Sequence, residues 1–522
     1  MPNTIEELET AILSYYFTNN DSNVYCATDN MPISIWGLLL GGYSRSGLSL
    51  RDRFLKVLKD LAKEESIEYY QLLSSFTNDL PATNNYIAKI MEKANKFMAK
   101  WSIEYGHNSL KDSAFNMMAI EGVSIRASKF IEESKLAAFQ EKSTRYMDFS
   151  GDSYILIDKA IDELSAKAMQ VYSEAKSRLI EYYKEIIPES DFKNQNAWIR
   201  TCSAKAFDDA RYLLPTTIKT SLGATMSTRE TERWISKLLT SEFPEVVEIG
   251  EKLKIECGKI TAALINHVEK NTFLNRRLGA LAKKICSTEI KELPLNESKP
   301  GVYLNSASNI ELEVAYSLIN ATGLFDSNVL VDTSLGLDEV FNLAFEERGI
   351  HDDFPDECAV GMIQFEVICD IGAFRDLQRH RNCTQIVEKW SSLRGYSIPE
   401  SLNDYKLLDI KEKYISLFEE YSKLNSKLIK DKNNNSEYAL LLGHNVRFIL
   451  ECNFKELAYI IELRSGEAGH YSYRRLAQAM YKLFDNNFKS LSKHIRVNLN
   501  EYSDRRKQEE VIQSKIEANS NN

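Results

Sequence analysis

Arg379, His380 and Arg381 stand in a row. Two guanidiniums that stay charged can each grip an oxyanion through paired N–H bonds, and an imidazole between them can give or take a proton. The triplet follows GMIQFEVICDIGAF (Gly361 to Phe374), a run that is apolar nearly all the way round a helix. Such a helix is normally buried. The expectation is therefore a buried helix whose end delivers fixed cations to an anionic ligand. Arg464 follows Leu457 by seven residues and Ile460 by four, which puts it on the apolar face of its helix. A buried guanidinium left unpaired costs roughly 3–5 kcal/mol, so Arg464 calls for an acceptor. Arg211 in ARYLLP and Arg145 in KSTRY are further candidate cations, and YGHNSLKD holds His107 and Ser109 in a polar loop.

Each of these residues also has a plainer reading. Arg379 and Arg381 would be favoured at any helix C-terminus by the dipole. Arg211 has Asp208 and Asp209 beside it, Arg464 has Glu462 and Glu467, and surface bridges of that kind are common. Asn453 has the type of a helix cap, with Glu456 placed as the reciprocal partner of a capping box.

The elements that must position these groups are mostly helices, expected over 50–75, 86–105, 157–187, 230–263 and 407–431. Strand-like runs are GVYLNS, IELEVAYSLI, SNVLVDTS and LLPTTIKTSLGATM. The 522 residues can build two to four domains. The net charge of -10 argues against broad binding to nucleic acid or anionic lipid, while a local basic pocket remains compatible with it. No apolar run is long enough for a membrane span, and the start MPNTIEELETAILSYYF lacks the basic region of a secretory signal. Eight scattered cysteines without a CxxC pair point to reduced structural thiols in a cytoplasmic protein, with no metal site.

The chain also repeats itself. Residues 210–239 lie on 436–465 without a gap, so that Pro215 meets Leu441, Ser227 meets Asn453 and Leu238 meets Arg464. Upstream, 124–146 lies beside 370–396, the latter a few residues longer. One fold duplicated is expected: 1–285, a linker at 286–306, and 307–522. The class is α+β, helix-rich, with each half a mixed or antiparallel sheet with long helices and the halves arranged as a pseudo-dimer.

Both halves resemble the flavin-dependent thymidylate synthases, whose signature is Arg-His-Arg, seven residues, Ser, one residue, Arg-Tyr. The second half has Arg379-His380-Arg381 but respaces the Ser and Arg-Tyr positions. The first half has Ser143, Arg145 and Tyr146 at family spacing, with Glu133-Ser134-Lys135 in place of the triplet. The family's AR-x-x-LP matches Ala210 to Pro215, and Glu437 stands at the arginine position in the second half. The family's N-A-R … L-R helix matches Asn453-Phe454-Lys455 and Leu463-Arg464, and the first half lacks the final arginine there.

In that family the site forms between subunits, and the two contributing sets are the ones this chain divides between its halves. The resemblance implies methylation of dUMP to dTMP, using methylenetetrahydrofolate and FAD reduced by NADPH, at one composite site per chain. It implies Arg464 as the catalytic arginine that activates uracil, and Glu141, Ser143, Arg145, Arg211 and Arg379 as nucleotide-binding. It implies His107, Ser109, Arg379, His380, Arg381, Asn453 and Lys455 as flavin-binding. A homodimer of pseudo-dimers would reproduce the family's four-subunit assembly, with dUMP and folate as the partners and neither nucleic acid nor membrane. Asp376 stands where the family has glutamine, Lys455 where it has arginine, and Tyr459 where it has asparagine. These departures leave two alternatives open, an inactive nucleotide-binding or scaffolding homologue and a flavoenzyme for a related pyrimidine nucleotide.

Overall fold

A computed structural model describes residues 4–501 apart from 22–26, 29, 44–47, 79–84, 100–110, 145–148, 150, 152, 193, 262–267, 272, 274–298 and 324–335. His107, Ser109, Arg145 and the SNVLVDTS run lie outside the described residues. The chain forms two compact units. One comprises Met1–Ile120, Leu136–Gln140 and Leu222–Glu289, and the other Glu121–Lys135, Glu141–Ser221 and Ile290–Asn522. These units cut across the sequence halves 1–285 and 307–522.

The first unit opens with helices α1 (Ile5–Tyr16), α2 (Ile33–Tyr43), α3 (Leu50–Glu64), α4 (Tyr69–Asn78) and α5 (Asn85–Ala99). Thr4 and Glu7 close a reciprocal capping box that starts α1. Phe54, Leu58, Leu61 and Ala62 recur at helical spacing on α3 and bury one stripe against Leu8, Ile12, Tyr16 and Leu72. The expected helix over 50–75 breaks at Ser66, which adopts φ 56°.

The chain continues through β1 (Phe115–Ser124), α6 (Ile125–Ile131), β2 (Ala137–Glu141), α7 (Lys159–Ile186), α8 (Gln195–Ala210), β3 (Lys219–Ser227), α9 (Thr228–Leu239) and α10 (Pro244–Thr261). Here the expected helix over 230–263 is two helices, because Pro244 cannot continue a helix but suits a first turn. Then come β4 (Gly301–Ala307), α11 (Ile310–Ala321), α12 (Leu337–Phe345), β5 (Met362–Asp370), α13 (Ile371–Leu377), β6 (Thr384–Val387), α14 (Leu408–Lys430), β7 (Asn445–Asn453), α15 (Phe454–Arg464) and α16 (Tyr471–Asn487).

Three expectations are corrected. MIQFEVICD is strand β5, and only the seven residues of α13 are helical. Ile363, Phe365 and Val367 of β5 are buried and alternate with Met362, Gln364 and Glu366, and only from Val367 to Asp370 are both faces buried, where the alternation is lost. IELEVAYSLI is helix α11, with acids in its first turn and Ile310, Val314 and Ala315 on its buried side. The last residues of the expected linker, from Gly301 on, belong to strand β4.

The duplication is visible in the architecture. Apart from α8, which has no counterpart, the succession β1-α6-β2-α7-β3-α9 recurs as β5-α13-β6-α14-β7-α15, and each third strand is preceded by a 3-10 turn, Arg211–Leu213 or Asn434–Tyr438. The sheet orders are β1-β3-β2 and β4-β5-β7-β6, the second being the same pattern with β4 added at its edge.

Equivalent backbone bonds recur as well. Ile125 N–H donates to Ile218 O (3.0 Å) as Ile371 N–H does to His444 O (2.9 Å). Arg126 N–H donates to Thr216 O (3.0 Å) as Gly372 N–H does to Leu442 O (3.1 Å). Where the repeats meet, Thr216 N–H donates to Leu440 O and Leu442 N–H to Leu214 O, both at 2.9 Å. That reciprocity is the signature of a two-fold interface, here internal to one chain. Ile125, Leu213, Leu214, Phe365, Val367, Leu440, Leu441 and Leu457 bury one continuous core around it.

The axis also separates unlike charges. The Arg126 and Gly372 positions are equivalent, as are those of Arg211 and Glu437. On one side Arg126 Nε donates to Glu437 Oε2 at 2.7 Å, with both side chains nearly buried, and the Arg126 guanidinium lies over the Trp390 ring at 4.8 Å. Removing either side chain breaks this buried ion pair. Glu437→Ala is expected to destabilise the fold by about 3–5 kcal/mol, and the Arg126→Leu/Glu437→Leu double variant by much less. A double-mutant cycle from urea denaturation checks this.

Candidate functional site

On the other side of the axis the charges are left open. Arg211 begins the 3-10 turn after α8 and is 2% exposed. Its Nη2 lies 3.9 Å from Asp370 Oδ1 and its Nη1 lies 3.9 Å from Asp376 Oδ2, beyond hydrogen-bonding reach. Nε and Nη2 have no hydrogen-bond partner among the described residues. The guanidinium packs closely against residue 372, where a glycine leaves it room. A Cβ there would stand 3.1 Å from Arg211 Nη2 and 2.9 Å from Asp370 Oδ1.

Asp370 is otherwise occupied. Its Oδ1 accepts from Ala373 N–H at 2.8 Å and caps α13, and its Oδ2 accepts from the Ser472 hydroxyl. Burial raises its carboxyl above the ordinary aspartate range despite Arg211 and Ser472, so it is a poor counter-charge. A buried guanidinium with two unbonded donor atoms calls for an acceptor.

The short helix α13 buries Ile371, Ala373, Phe374 and Leu377 and so holds Arg375 and Asp376 at fixed places. Asp376 stands between two arginines, for Arg464 Nη1 is 4.0 Å from its Oδ1. Arg464 ends α15, whose Leu457, Ile460 and Ile461 are buried. Arg464 Nε donates to His380 Nε2 at 2.9 Å, and its guanidinium lies over the Tyr473 ring at 5.5 Å. His380 Nδ1 meets Glu456 Oε1 at 3.2 Å. Arg211 and Arg464, from opposite halves of the sequence, thus converge on one carboxylate. The pairings weighed from sequence alone did not form, since Glu462 is taken by Arg348 (2.7 Å) and Arg496 (3.4 Å).

The other candidates are placed as follows. Glu141 is buried, with Oε1 accepting from Ser128 and Oε2 from Lys129 (2.9 Å) and Arg375 (2.8 Å). Burial alone would raise its carboxyl, but the Arg375 and Lys129 cations outweigh that and hold it far below the usual range. Lys129 and Arg375 occupy equivalent positions in the two repeats, so Glu141 ties α6 to α13, and both of its oxygens are already bonded within the protein. Ser143 is half-buried two residues on.

Arg379 is exposed and Arg381 half-buried in the turn after α13. His380 has both ring nitrogens bonded within the protein. Asn453 Oδ1 caps α15 through Glu456 N–H at 2.9 Å, and Glu456 turns its carboxylate to His380 and Asn382. Lys455 is held by Asp356 at 2.6 Å. Six cysteines are free and buried, and no cluster fit to hold a metal ion occurs among the described residues. No described helix is long and apolar enough to cross a membrane.

Sequence reasoning missed Gly372 and the Glu456–His380 pair. The first had a signal, because aligning the repeats sets Arg126 against Gly372 and Glu437 against Arg211.

The sequence profile of the thymidylate synthase complementing protein family matches residues 59–249 and 358–488, more than half of the chain. The chain belongs to that family. A UPF0159 protein of Chlamydia pneumoniae is 25% identical over 502 residues, covering 90% of each chain. A flavin-dependent thymidylate synthase of Clostridium tetani is 28% identical over 179 residues, 34% of this chain and 71% of that one. That ratio is the one expected if this chain carries the unit twice. Among solved structures, a UMP/dUMP methylase PolB from Streptomyces cacaoi bound with 5-Br dUMP aligns at 14% identity and TM-score 0.31, over 37% of this chain and 93% of that one.

A Cβ at residue 372 would press on Arg211 and on the Asp370 oxygen that caps α13. Gly372→Ala is expected to lower thermal stability by about 1–3 kcal/mol, which a melting curve followed by circular dichroism measures.

Proposed function

We propose that this chain methylates dUMP to dTMP in the cytoplasm, with a one-carbon unit from methylenetetrahydrofolate and reducing equivalents from FAD reduced by NADPH, at one composite site per chain. The observation that carries this reading is the convergence of Arg211 and Arg464 on Asp376, with Nε and Nη2 of Arg211 unbonded among the described residues. Arg211 binds the nucleotide, with Arg145 and Ser143 contributing from the same half. Arg464 polarises the uracil ring, an acceptor suited to a cation held on an otherwise apolar helix face. Glu141 acts on the nucleotide only through Arg375 and the segment it anchors.

The described residues fit a flavin in part. Arg379 and Arg381 are accessible fixed cations, suited to a pyrophosphate, and Asn453 keeps its amide N–H groups because only its oxygen caps α15. Lys455 fits less well, since Asp356 already holds it. FAD, when bound, supplies the hydride, and the protein's share is orientation and electrostatics. Two such chains pairing would rebuild the four-unit assembly of the family.

One observation favours a second reading, an inactive nucleotide-binding homologue. Asp376 already faces both arginines and offsets part of their charge. Purified protein separates the two readings. The first predicts yellow protein containing FAD that forms dTMP from dUMP, methylenetetrahydrofolate and NADPH. Tight dUMP binding without turnover, even with FAD added, selects the second, and colourless protein that binds neither ligand contradicts both.

A further inference from the structure

We propose that His380 and Glu456 are positioning residues that aim Arg464, a role resting on the reading above in which Arg464 acts on the pyrimidine ring. The inference follows from counting protons. A guanidinium Nε carries a hydrogen and can only donate. Its partner at 2.9 Å, His380 Nε2, must therefore be the bare nitrogen of the ring. The one proton of a neutral imidazole then sits on Nδ1, where Glu456 Oε1 accepts it at 3.2 Å. Glu456 is fixed in turn by Asn382 Nδ2 at 3.3 Å on its other oxygen and by its place in the first turn of α15.

The result is a chain from carboxylate to imidazole to guanidinium. It locks the Nε edge of Arg464, leaving Nη1 4.0 Å from Asp376 and the guanidinium over the Tyr473 ring. His380 is 3% exposed, and the edge of the Tyr459 ring covers it at 5.6 Å, so water does not replace either bond.

The arrangement has a direction in pH. The groups facing the imidazole are Glu456, Arg464 and Tyr459 of α15 and Asp376 of α13. Burial disfavours the charged ring most, Arg464 opposes it too, and Glu456 and Asp376 favour it. The net effect lies below the ordinary histidine value, so the ring is neutral at pH 7. Acidification through that lowered value would put a second N–H against Arg464 Nε and break the bond.

The direct test is nitrogen NMR of the labelled full chain. The expected result at pH 7.5 is a neutral His380 protonated on Nδ1, with a scalar coupling between His380 Nε2 and Arg464 Nε across their hydrogen bond. That coupling should be kept in Glu456→Gln, which still offers an oxygen acceptor, and lost in Glu456→Ala. An Nε2-protonated or charged His380 in the unmodified protein overturns the proposal, whatever the protein's activity. Kinetics supply the second arm. Glu456→Ala should lower kcat on the order of 10²-fold with little change in KM for dUMP, and Glu456→Gln should restore most of it. Equal loss in both variants, or no loss in the alanine variant, also overturns it. A chain that binds no dUMP would instead sink the functional reading while leaving the spectroscopic result to stand.

Discussion

The structure depends on an imbalance of buried charge. Arg211 is buried with two donor atoms unbonded among the described residues, and its nearest described carboxylates stand at 3.9 Å, close enough to make its burial tolerable but too far to satisfy it. A protein interior does not ordinarily leave a guanidinium in that state, because each unmet donor bears its full desolvation penalty. Neighbouring features leave that group unbonded. Residue 372 has no side chain, Asp370 is engaged in capping α13 and accepting from Ser472, and Asp376 is shared with a second arginine.

The same positions across the internal two-fold axis show the opposite solution. There an arginine stands at the glycine's place and a glutamate at the arginine's, and the two bond directly. A symmetric ancestor with two sites would have faced one requirement twice. In this chain one copy keeps an unfilled cation and the other has an internal ion pair in its place. The backbone did not diverge with the side chains, since the paired bonds at Leu214, Thr216, Leu440 and Leu442 remain equivalent to within about a tenth of an ångström.

Much of this was legible before any coordinates. The repeat could be aligned, and the alignment divided the chemically useful residues between its copies, so that Arg211 and Arg464 were expected to meet. Long amphipathic helices such as α7 and α14 were also plain, because their stripes extend over many turns. Strand β5 was not, because its fully buried end, Val367 to Asp370, runs straight into the buried helix α13 and masks the alternation before it. The partnership of His380 with Glu456 was hidden for another reason. Glu456 sits where a capping box would use it, and only the fold decides that its carboxylate turns to a histidine far back in the chain. Local sequence reports what a side chain can bond, and tertiary packing selects among the options.

The central claim is that the duplicated fold keeps a single open anion site per chain. Calorimetric titration of the purified full-length protein with dUMP tests it most directly. The account predicts one nucleotide bound per chain. Two per chain, showing that the side closed by Arg126 and Glu437 also binds, would contradict it, and so would the absence of any saturable binding.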